Sequence, residues 1–343
     1  MATKSYVDLK AEVWDRGTCA GCGACVAVCP ADAICFDEAG GSLAPRNIGY
    51  CKQQNDEVDC GACYDACPRV MRIDQDVLGN YLEIYSARAT LEIPRRQTGG
   101  AVTALILTAL EQGLIDAVVT VTEDRWTKKP ASVVITEAGE IVSHAGSRYN
   151  WWVPLVAALK TAVMEKKCRK IAIIGVPCVV QAVNRIRTSE NDLLKPFGRS
   201  IRLVIGLFCT ETFDYHMLVE VLLKKEHHVD TWNIDRLDVR GKLEVTMRDG
   251  SLVTIPLEEL QGAIRPGCRH CTDFTALFSD ISAGAVGSRR GHTTLIVRNE
   301  TGRAFLQEAI TQNALLVGEN PVDTSAIERL GRMKAKNVSI DRS

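Results

Sequence analysis

A repeated run of cysteines limits most strongly what this chain can fold into. Cys19, Cys22, Cys25 and Cys29 are spaced C-x2-C-x2-C-x3-C and are followed by Pro30. The nonapeptide that starts at Cys22, CGACVAVCP, recurs 38 residues later as CGACYDACP, starting at Cys60. Three thiolates at three-residue intervals on a loop of Gly and Ala can reach three irons of one iron–sulfur cube, because small residues let the backbone wrap closely. The cysteine before proline is then free to serve a neighbouring cube. Structural zinc is the competing reading, but zinc favours two separated C-x2-C knuckles with four ligands per ion over triplets that end in Cys-Pro.

The duplication implies two [4Fe-4S] clusters in a module like the bacterial ferredoxins. In the second copy Glu57 stands where the leading cysteine belongs, and Cys51 is the substitute. The pattern assigns Cys19, Cys22, Cys25 and Cys67 to one cluster and Cys51, Cys60, Cys63 and Cys29 to the other. Cys35, in Ala-Ile-Cys-Phe, reads as a small core residue.

With 41 Lys and Arg against 42 Asp and Glu, the chain lacks the basic excess that nucleic-acid partners demand. Apolar stretches such as Ile171 to Ile174 fall well short of the ~20 residues that cross a bilayer, so no transmembrane helix is expected. The opening MATKSYVDLKAEVWDRG lacks the apolar core of a secretory signal. A cytoplasmic location is therefore expected, where 14 cysteines point to metal more readily than to disulfides. At 343 residues, two or three domains are expected.

From about Tyr81 the pattern changes to alternating strand-like and helical segments: IDAVVTVTE, ASVVITE, KIAIIG followed by helical PCVVQAVNRI, then IRLVIGLF. An α/β domain follows. The joint falls at Asp74–Asn80, with no Pro/Gly/Ser-rich linker, so tight docking is expected. Four later cysteines stand in suggestive places: Cys178 in Gly-Val-Pro-Cys after a strand, Cys209 at the end of IGLFC, and Cys268 and Cys271 as C-x2-C after Pro266-Gly267. Strand ends and loops are where α/β sheets build sites. These thiolates could hold a third cluster or a zinc, and spacing leaves both open. Cys168, in a basic helix end, reads as incidental. Gln97-Thr98-Gly99-Gly100 opens an apolar helix whose free N–H groups could bind phosphate, although a simple helix cap explains the same residues. No G-x-G-x-x-G follows a strand, which weakens a nicotinamide reading.

These residues resemble the beta subunits of coenzyme F420 hydrogenases and dehydrogenases. The likeness rests on Gly175-Val-Pro-Cys178, Gly206-Leu-Phe-Cys209-Thr-Glu-Thr-Phe213, Cys268-Arg-His-Cys271-Thr-Asp-Phe274, Asp280-Ile-Ser, Gly284, Gly287, Gly291 and Arg298. With the Thr98-Gly-Gly helix start and Gly146-Ser-Arg-Tyr149, it covers about residues 82 to 310. Fused to a two-cluster ferredoxin, the domain resembles the electron-input subunits of archaeal F420H2 dehydrogenases.

The resemblance implies an FAD, a third [4Fe-4S] cluster on Cys178, Cys209, Cys268 and Cys271, and oxidation of reduced coenzyme F420, with a place in archaeal methanogenesis. It implies flavin contacts at Thr98, Gly99, Gly100, Ala101, Val102 and Thr103, and in the same pocket at Ser147, Arg148 and Tyr149. Val179 and Thr212 depart from residues common in the family, Gln and Asn, which bears on the flavin edge and not on ligation.

The fold class is thus α+β: a bacterial-ferredoxin-like 2[4Fe-4S] domain over residues 1–78, then an α/β flavin- and cluster-binding domain over 79–343. A reduced deazaflavin gives a hydride, whereas cubanes take single electrons, so flavin splits the pair and the clusters relay electrons to a partner. No general base is nominated. Arg148, Arg265, Arg269, Arg289 and Arg290 could offer a positive rim to an anionic coenzyme, and His270 reads as a loop residue. The expected acceptors are protein subunits, among them those of a membrane-bound quinone-type dehydrogenase complex, which would put the chain peripherally on the cytoplasmic face. The basic tail from Arg329 is a candidate contact. The alternatives are the same build reducing F420 from ferredoxin or another donor, and a non-catalytic polyferredoxin relay.

Overall fold

The computed structural model describes residues 3–37, 44–71, 76–151 and 155–340, with backbone alone for 337–340. Asp74 and Gln75, the first residues of the expected joint, lie outside these.

The cysteine repeat folds as a repeat. Gly23 (φ +82°) precedes helix Ala24–Val28, and Gly61 (φ +61°) precedes helix Ala62–Asp65. A side chain is strained at such φ values, which is why both copies carry glycine at this place. Each copy then leaves its helical turns and becomes extended at the cysteine before proline, Cys29 (ψ 115°) and Cys67 (ψ 124°). Proline disfavours helix in the residue before it. Leu9, Val13, Trp14 and Ile34 close a small core around Cys25, Cys29, Cys63 and Cys67.

The larger part is built on eight strands: β1 (Glu83–Ala89), β2 (Ala117–Glu123), β3 (Pro130–Ile135), β4 (Ile171–Gly175), β5 (Ile201–Leu207), β6 (Ile281–Gly284), β7 (Thr293–Val297) and β8 (Leu315–Val317). They form one mixed sheet in the order β8-β1-β7-β6-β5-β4-β2-β3. The central strands β2, β4, β5 and β6 are parallel, and the strands flanking them are antiparallel. Strand β4 is apolar throughout because both its faces are covered: Ile171 and Ile173 enter one core, Ala172 and Ile174 the other. The pairing of β4 with β5 shifts after Ile171↔Ile201, the next pair being Ala172↔Leu203. Arg202, the extra residue, is exposed. The bulge lets Ile201 and Val204 share one face while Leu203 and Ile205 share the opposite one.

Helices α1 (Ala101–Glu111) and α3 (Glu300–Thr311) cover one face through Leu105, Ile106, Phe305 and Leu306. Helix α2 (Pro177–Thr188) covers the other, and the cysteine module packs beside it: Ala24, Ala27, Val28, Ala62 and Ala66 belong to the same core as Val180, Val183 and Ile186. Hydrogen bonds tighten this contact, from Arg185 Nε to Asp65 O (2.6 Å), Asn191 Nδ2 to Cys60 O (2.7 Å) and Trp151 Nε1 to Gly21 O (2.8 Å). At the described end of the joint, Thr275 Oγ1 donates to Val77 O and Arg298 Nη1 to Leu78 O.

One layer goes beyond the sequence reading. Ile234–Val239, Lys242–Met247 and Leu252–Pro256 form an antiparallel meander, turned at Gly241 and Gly250. It packs on the helical segment His216–Glu226 with a core of its own that includes Leu218, Leu222, Leu243, Val245 and Ile255. A last helix, α4 (Thr324–Ile340), returns to the sheet's cysteine-bearing end.

Candidate functional site

The thiols fall into three groups of four, read from which sulfur atoms bear on one another. Burial pushes the Cys22 thiol up to about 12, with Cys67 and Cys19 adding to the shift. Burial also drives Cys25 well up, reinforced by Cys19, Cys22 and Cys67. Cys67, ahead of Pro68 in the second copy, therefore sits with the first copy's triplet. Cys63 is pushed up by burial and then by Cys29, Cys60 and Cys51, and Cys60 by burial, Cys51 and Cys29. Cys29 and Cys51 thus stand with the second triplet, around a recess of about 330 Å³ that Pro30 and Tyr50 also line.

The third group gathers at the C-terminal ends of β4 and β5. Cys178 lies in the first turn of α2, behind Pro177, and Cys209 lies just past β5. Cys268 sits within the short turn Pro266–His270, and Cys271 ends it. Burial raises Cys178, with Cys22 of the first group and Cys271 and Cys268 of its own contributing. Cys209 is raised by burial and by Cys268, Cys178 and Cys271, while Lys334 opposes. Cys271 is the exception: burial raises it too, but Lys334 and Arg69 outweigh burial and hold the thiol below its usual range. The groups are contiguous in the order third, first, second, because Cys178 faces Cys22 and Cys25 faces Cys63. A Cβ on Gly267 would lie 1.9 Å from Cys19 O, so only glycine lets the Cys268 turn press this closely on the Cys19 loop.

Among the described residues, no three of His, Cys, Asp or Glu converge tightly enough to hold one metal ion. Zinc needs its thiolates about 2.3 Å from a common centre. Four cysteines per group, three of them closely spaced in each repeat, suit a cube, where each sulfur meets a different iron. Backbone N–H groups point at several of them: Gly21 at Cys19 Sγ (3.5 Å), Ala33 at Cys29 Sγ (3.4 Å) and Thr212 at Cys268 Sγ (3.4 Å). Thiols that are buried and raised, such as Cys22, Cys25 and Cys178, are poor nucleophiles, and only a bound cation would make them thiolates.

Two cations that sequence reasoning missed stand at the third group. Arg69 reaches in from the cysteine module and donates to Gly267 O (3.1 Å). Lys334 of α4 is 7% exposed and donates to Cys209 O (2.7 Å) and Asp273 O (2.6 Å). Both feel the thiols strongly enough to be held protonated despite burial. Arg69 directly follows the Cys-Pro pair, a faint signal. Lys334 had none, and the structure turns it inward where the basic tail was read as an outward contact.

A second recess, about 490 Å³, opens between the approach to α1, the Gly146–Tyr149 segment and the meander. Gln97 bonds there to the Tyr149 hydroxyl and to Asp238, and Arg240 Nη2 donates to Gln97 O (2.9 Å). Ser147, Arg148 and Tyr149 line it. Arg148 Nε is buried without a partner, and burial holds its guanidinium below the usual range, which suits an anionic guest. Thr98 to Thr103 are not among the lining residues. Thr98 Oγ1 shares a hydrogen bond with Thr293 Oγ1 (2.9 Å), a Cβ on Gly99 would lie 2.4 Å from Ala87 O, and Gly100 (φ +74°) starts α1 with buried Ala101 and half-buried Val102 and Thr103 behind it. Gln97, their neighbour, is the residue that faces the recess.

Of the five arginines expected at a rim, Arg148 alone lines this recess. Arg265 is 1% exposed, its guanidinium 3.6 Å above the Trp151 ring and donating to Ala20 O (2.8 Å). It is a strut under the Cys19 loop. Arg269 donates to Gln261 O, and Arg289 lies 3.7 Å from Glu319. Val179 is packed against Gly175, and Thr212 sits on Cys268 through both its N–H and its hydroxyl.

Comparison with known proteins gives this arrangement a family. Residues 84–160 match the N-terminal and residues 168–322 the C-terminal description of the coenzyme F420 hydrogenase/dehydrogenase beta subunit, and residues 13–34 match a 4Fe-4S binding domain. The chain is 42% identical to the uncharacterized protein MJ1349 of Methanocaldococcus jannaschii over 98% of its length and 99% of that protein. It is 33% identical to the coenzyme F420-dependent sulfite reductase of the same organism, over 95% of this chain but 50% of that enzyme. To an F(420)H(2) dehydrogenase subunit of Methanosarcina mazei it is 29% identical, over 94% of this chain and 90% of that protein. A chain from the solved F420-reducing [NiFe] hydrogenase complex of Methanosarcina barkeri superposes with a TM-score of 0.71 at 27% identity, covering 78% of this chain and 94% of that one. Strand-end thiols, a recess beside the α1 start and an iron–sulfur repeat all fall within these matches, and the chain belongs to the family of coenzyme F420 hydrogenase/dehydrogenase beta subunits.

Proposed function

We propose that this protein oxidises reduced coenzyme F420 by hydride transfer to FAD and passes single electrons through three [4Fe-4S] clusters to a partner protein. The observation that carries the reading is the contiguity of three four-thiol groups, running from the sheet's cysteine-bearing end to the surface recess at Cys51 and Cys60. In this reading Cys178, Cys209, Cys268 and Cys271 hold one cluster, Cys19, Cys22, Cys25 and Cys67 the next, and Cys29, Cys51, Cys60 and Cys63 the last. The first two-cluster stretch, to residue 78, and the domain from 79 onward then act as exit and entry.

A bound flavin would exchange one hydride for two single electrons, chemistry that no side chain supplies. The chain's own residues do the rest. Gln97 links the Tyr149 hydroxyl on one wall to Asp238 of the meander on the other, and Arg148 offers a guanidinium nitrogen to an anion. Tyr149 O accepts from Phe213 N–H (2.9 Å), tying the recess wall to the segment that carries Thr212 and Cys209. The N–H groups aimed at sulfur and the buried cations balance negative charge at the thiolates.

The similarity to relatives named as a dehydrogenase subunit, hydrogenase subunits and a sulfite reductase supports a shared electron-input module whose acceptor differs between complexes. No helix of the described residues is long and apolar enough to cross a membrane, which leaves a peripheral position compatible with the fold. The test is anaerobic purification, quantification of iron, sulfide and flavin, and an assay for loss of reduced F420. Bound flavin with three cubes' worth of iron and turnover of reduced F420 supports the reading. Turnover in the reducing direction alone, from reduced ferredoxin, would favour the reverse activity instead.

A further inference from the structure

Lys334 is a buried cation and Arg69 a half-buried one, and neither has a carboxylate in salt-bridge contact. Among the described residues no ion pair is formed by either, and the Arg69 Nε atom is enclosed with no hydrogen-bond partner. Asp273 is the acidic group that bears on Lys334, yet only its backbone carbonyl receives that ammonium. Its carboxylate is occupied by Gln181 Nε2 (3.0 Å) and the Ala276 N–H (2.8 Å). Burying an unpaired charge is costly unless an opposite charge lies close by. The groups facing both cations include the thiols of Cys268 and Cys271, with Cys178 beside Arg69 and Cys209 beside Lys334.

Neither residue lies within the stretches that match the family descriptions themselves. Lys334 lies beyond the region that ends at residue 322, and Arg69 lies outside both 13–34 and 84–160. They arrive from opposite ends of the chain, one on the last helix and one after the second cysteine motif. Gly331, one turn before Lys334, is pressed on Val77 at the joint, where a Cβ would lie 2.2 Å from a Val77 methyl. The helix that delivers the ammonium is thus held in register by the segment that links the modules.

We propose that Lys334 and Arg69 are positioning residues that set the reduction potential of the third centre above the value its four thiolates alone would give. The proposal rests on the reading that this group holds a cluster. A fixed positive charge favours the state with one more electron, and no bond breaks and no proton moves when that electron arrives. The third centre then draws single electrons from the recess side and holds them for the first group, which Cys22 places next to Cys178.

The experiment is a potentiometric titration of the anaerobic holoprotein, followed by electron paramagnetic resonance, with iron content and thermal unfolding measured on the same samples. Lys334→Met removes the charge and both hydrogen bonds, Lys334→Gln removes the charge but keeps an N–H donor, and Lys334→Arg keeps the charge. The expected result is that Met and Gln variants shift one centre alone, by about tenfold in the equilibrium for accepting an electron, ~59 mV for a one-electron couple. The other two centres should stay unmoved and Lys334→Arg should stay near the unsubstituted value. An unshifted centre with full iron in Lys334→Gln would overturn the proposal. So would loss of iron or of thermal stability in Lys334→Met with an unshifted potential in the other two variants, because that assigns Lys334 to structure alone. Iron for only two cubes in the unsubstituted protein would instead overturn the cluster assignment itself.

Discussion

The second and third thiol groups differ in how they are assembled and in the charges around them. Cys29, Cys51, Cys60 and Cys63 surround a recess at the surface, with Cys51 and Cys60 only half-buried and apolar Ile48 and Val58 exposed nearby. Cys178, Cys209, Cys268 and Cys271, three of them also half-buried, are drawn from three separate loops, face buried Lys334 and half-buried Arg69 and lie against the first group. The difference bears on direction: a group set around a surface recess suits handing electrons to another protein, and one flanked by cations and set against the first group suits receiving them within the chain.

Removing a ligand from each site is the strongest way to break this contrast. Cys271→Ser should cut the oxidation of reduced F420 about a hundredfold or more, ~2.7 kcal/mol or above, with a small artificial acceptor and with the protein acceptor alike. Cys63→Ser should cut delivery to the protein acceptor by a similar factor while the small acceptor keeps a substantial rate, because it can collect electrons upstream. Equal behaviour of the two variants in parallel steady-state assays would remove the distinction between entry and exit.

How far the contrast can be read from the sequence follows from where each group's ligands lie. The second group sits within a contiguous repeat, so its glycines, prolines and cysteine spacing announce it, even with Glu57 in place of the leading cysteine. The third is assembled by the sheet, and beyond the family resemblance only strand-end position and one C-x2-C pointed to it. Lys334 and Arg69 left almost no trace, because a buried cation has no periodicity and its counter-charge comes from other loops. The recess shows the same limit. The Gly146–Tyr149 wall was named in advance, whereas its opposite wall belongs to a meander whose alternation gave no sign of which strand would present Asp238. Arg265, an apparent surface charge in the sequence, is covered because Trp151 and the Cys19 loop close over it.

Two smaller effects sharpen the comparison. Arg148→Met should weaken binding of the flavin or of the anionic coenzyme about tenfold to a hundredfold, roughly the 1.5–3 kcal/mol of a charge-assisted hydrogen bond, read by equilibrium titration. Iron content should be unchanged, since no cysteine lines the recess that Arg148 occupies. Gly267→Ala should destabilise the protein by about 1–3 kcal/mol through overpacking, seen as a lower unfolding midpoint under anaerobic conditions. Because its Cβ would strike Cys19 O, the spectra of the first and third centres should both change while the second stays constant.

The alanine-lined face that the cysteine module shares with helix α2 has a consequence for how such a chain is inherited and assembled. Severed at the joint, each piece would present bare greasy surface to water, and such faces invite clumping. The two pieces are therefore expected to fold together, each closing over the other's small apolar residues. Exchange of this segment between relatives would succeed only where the small residues on that face travel with it.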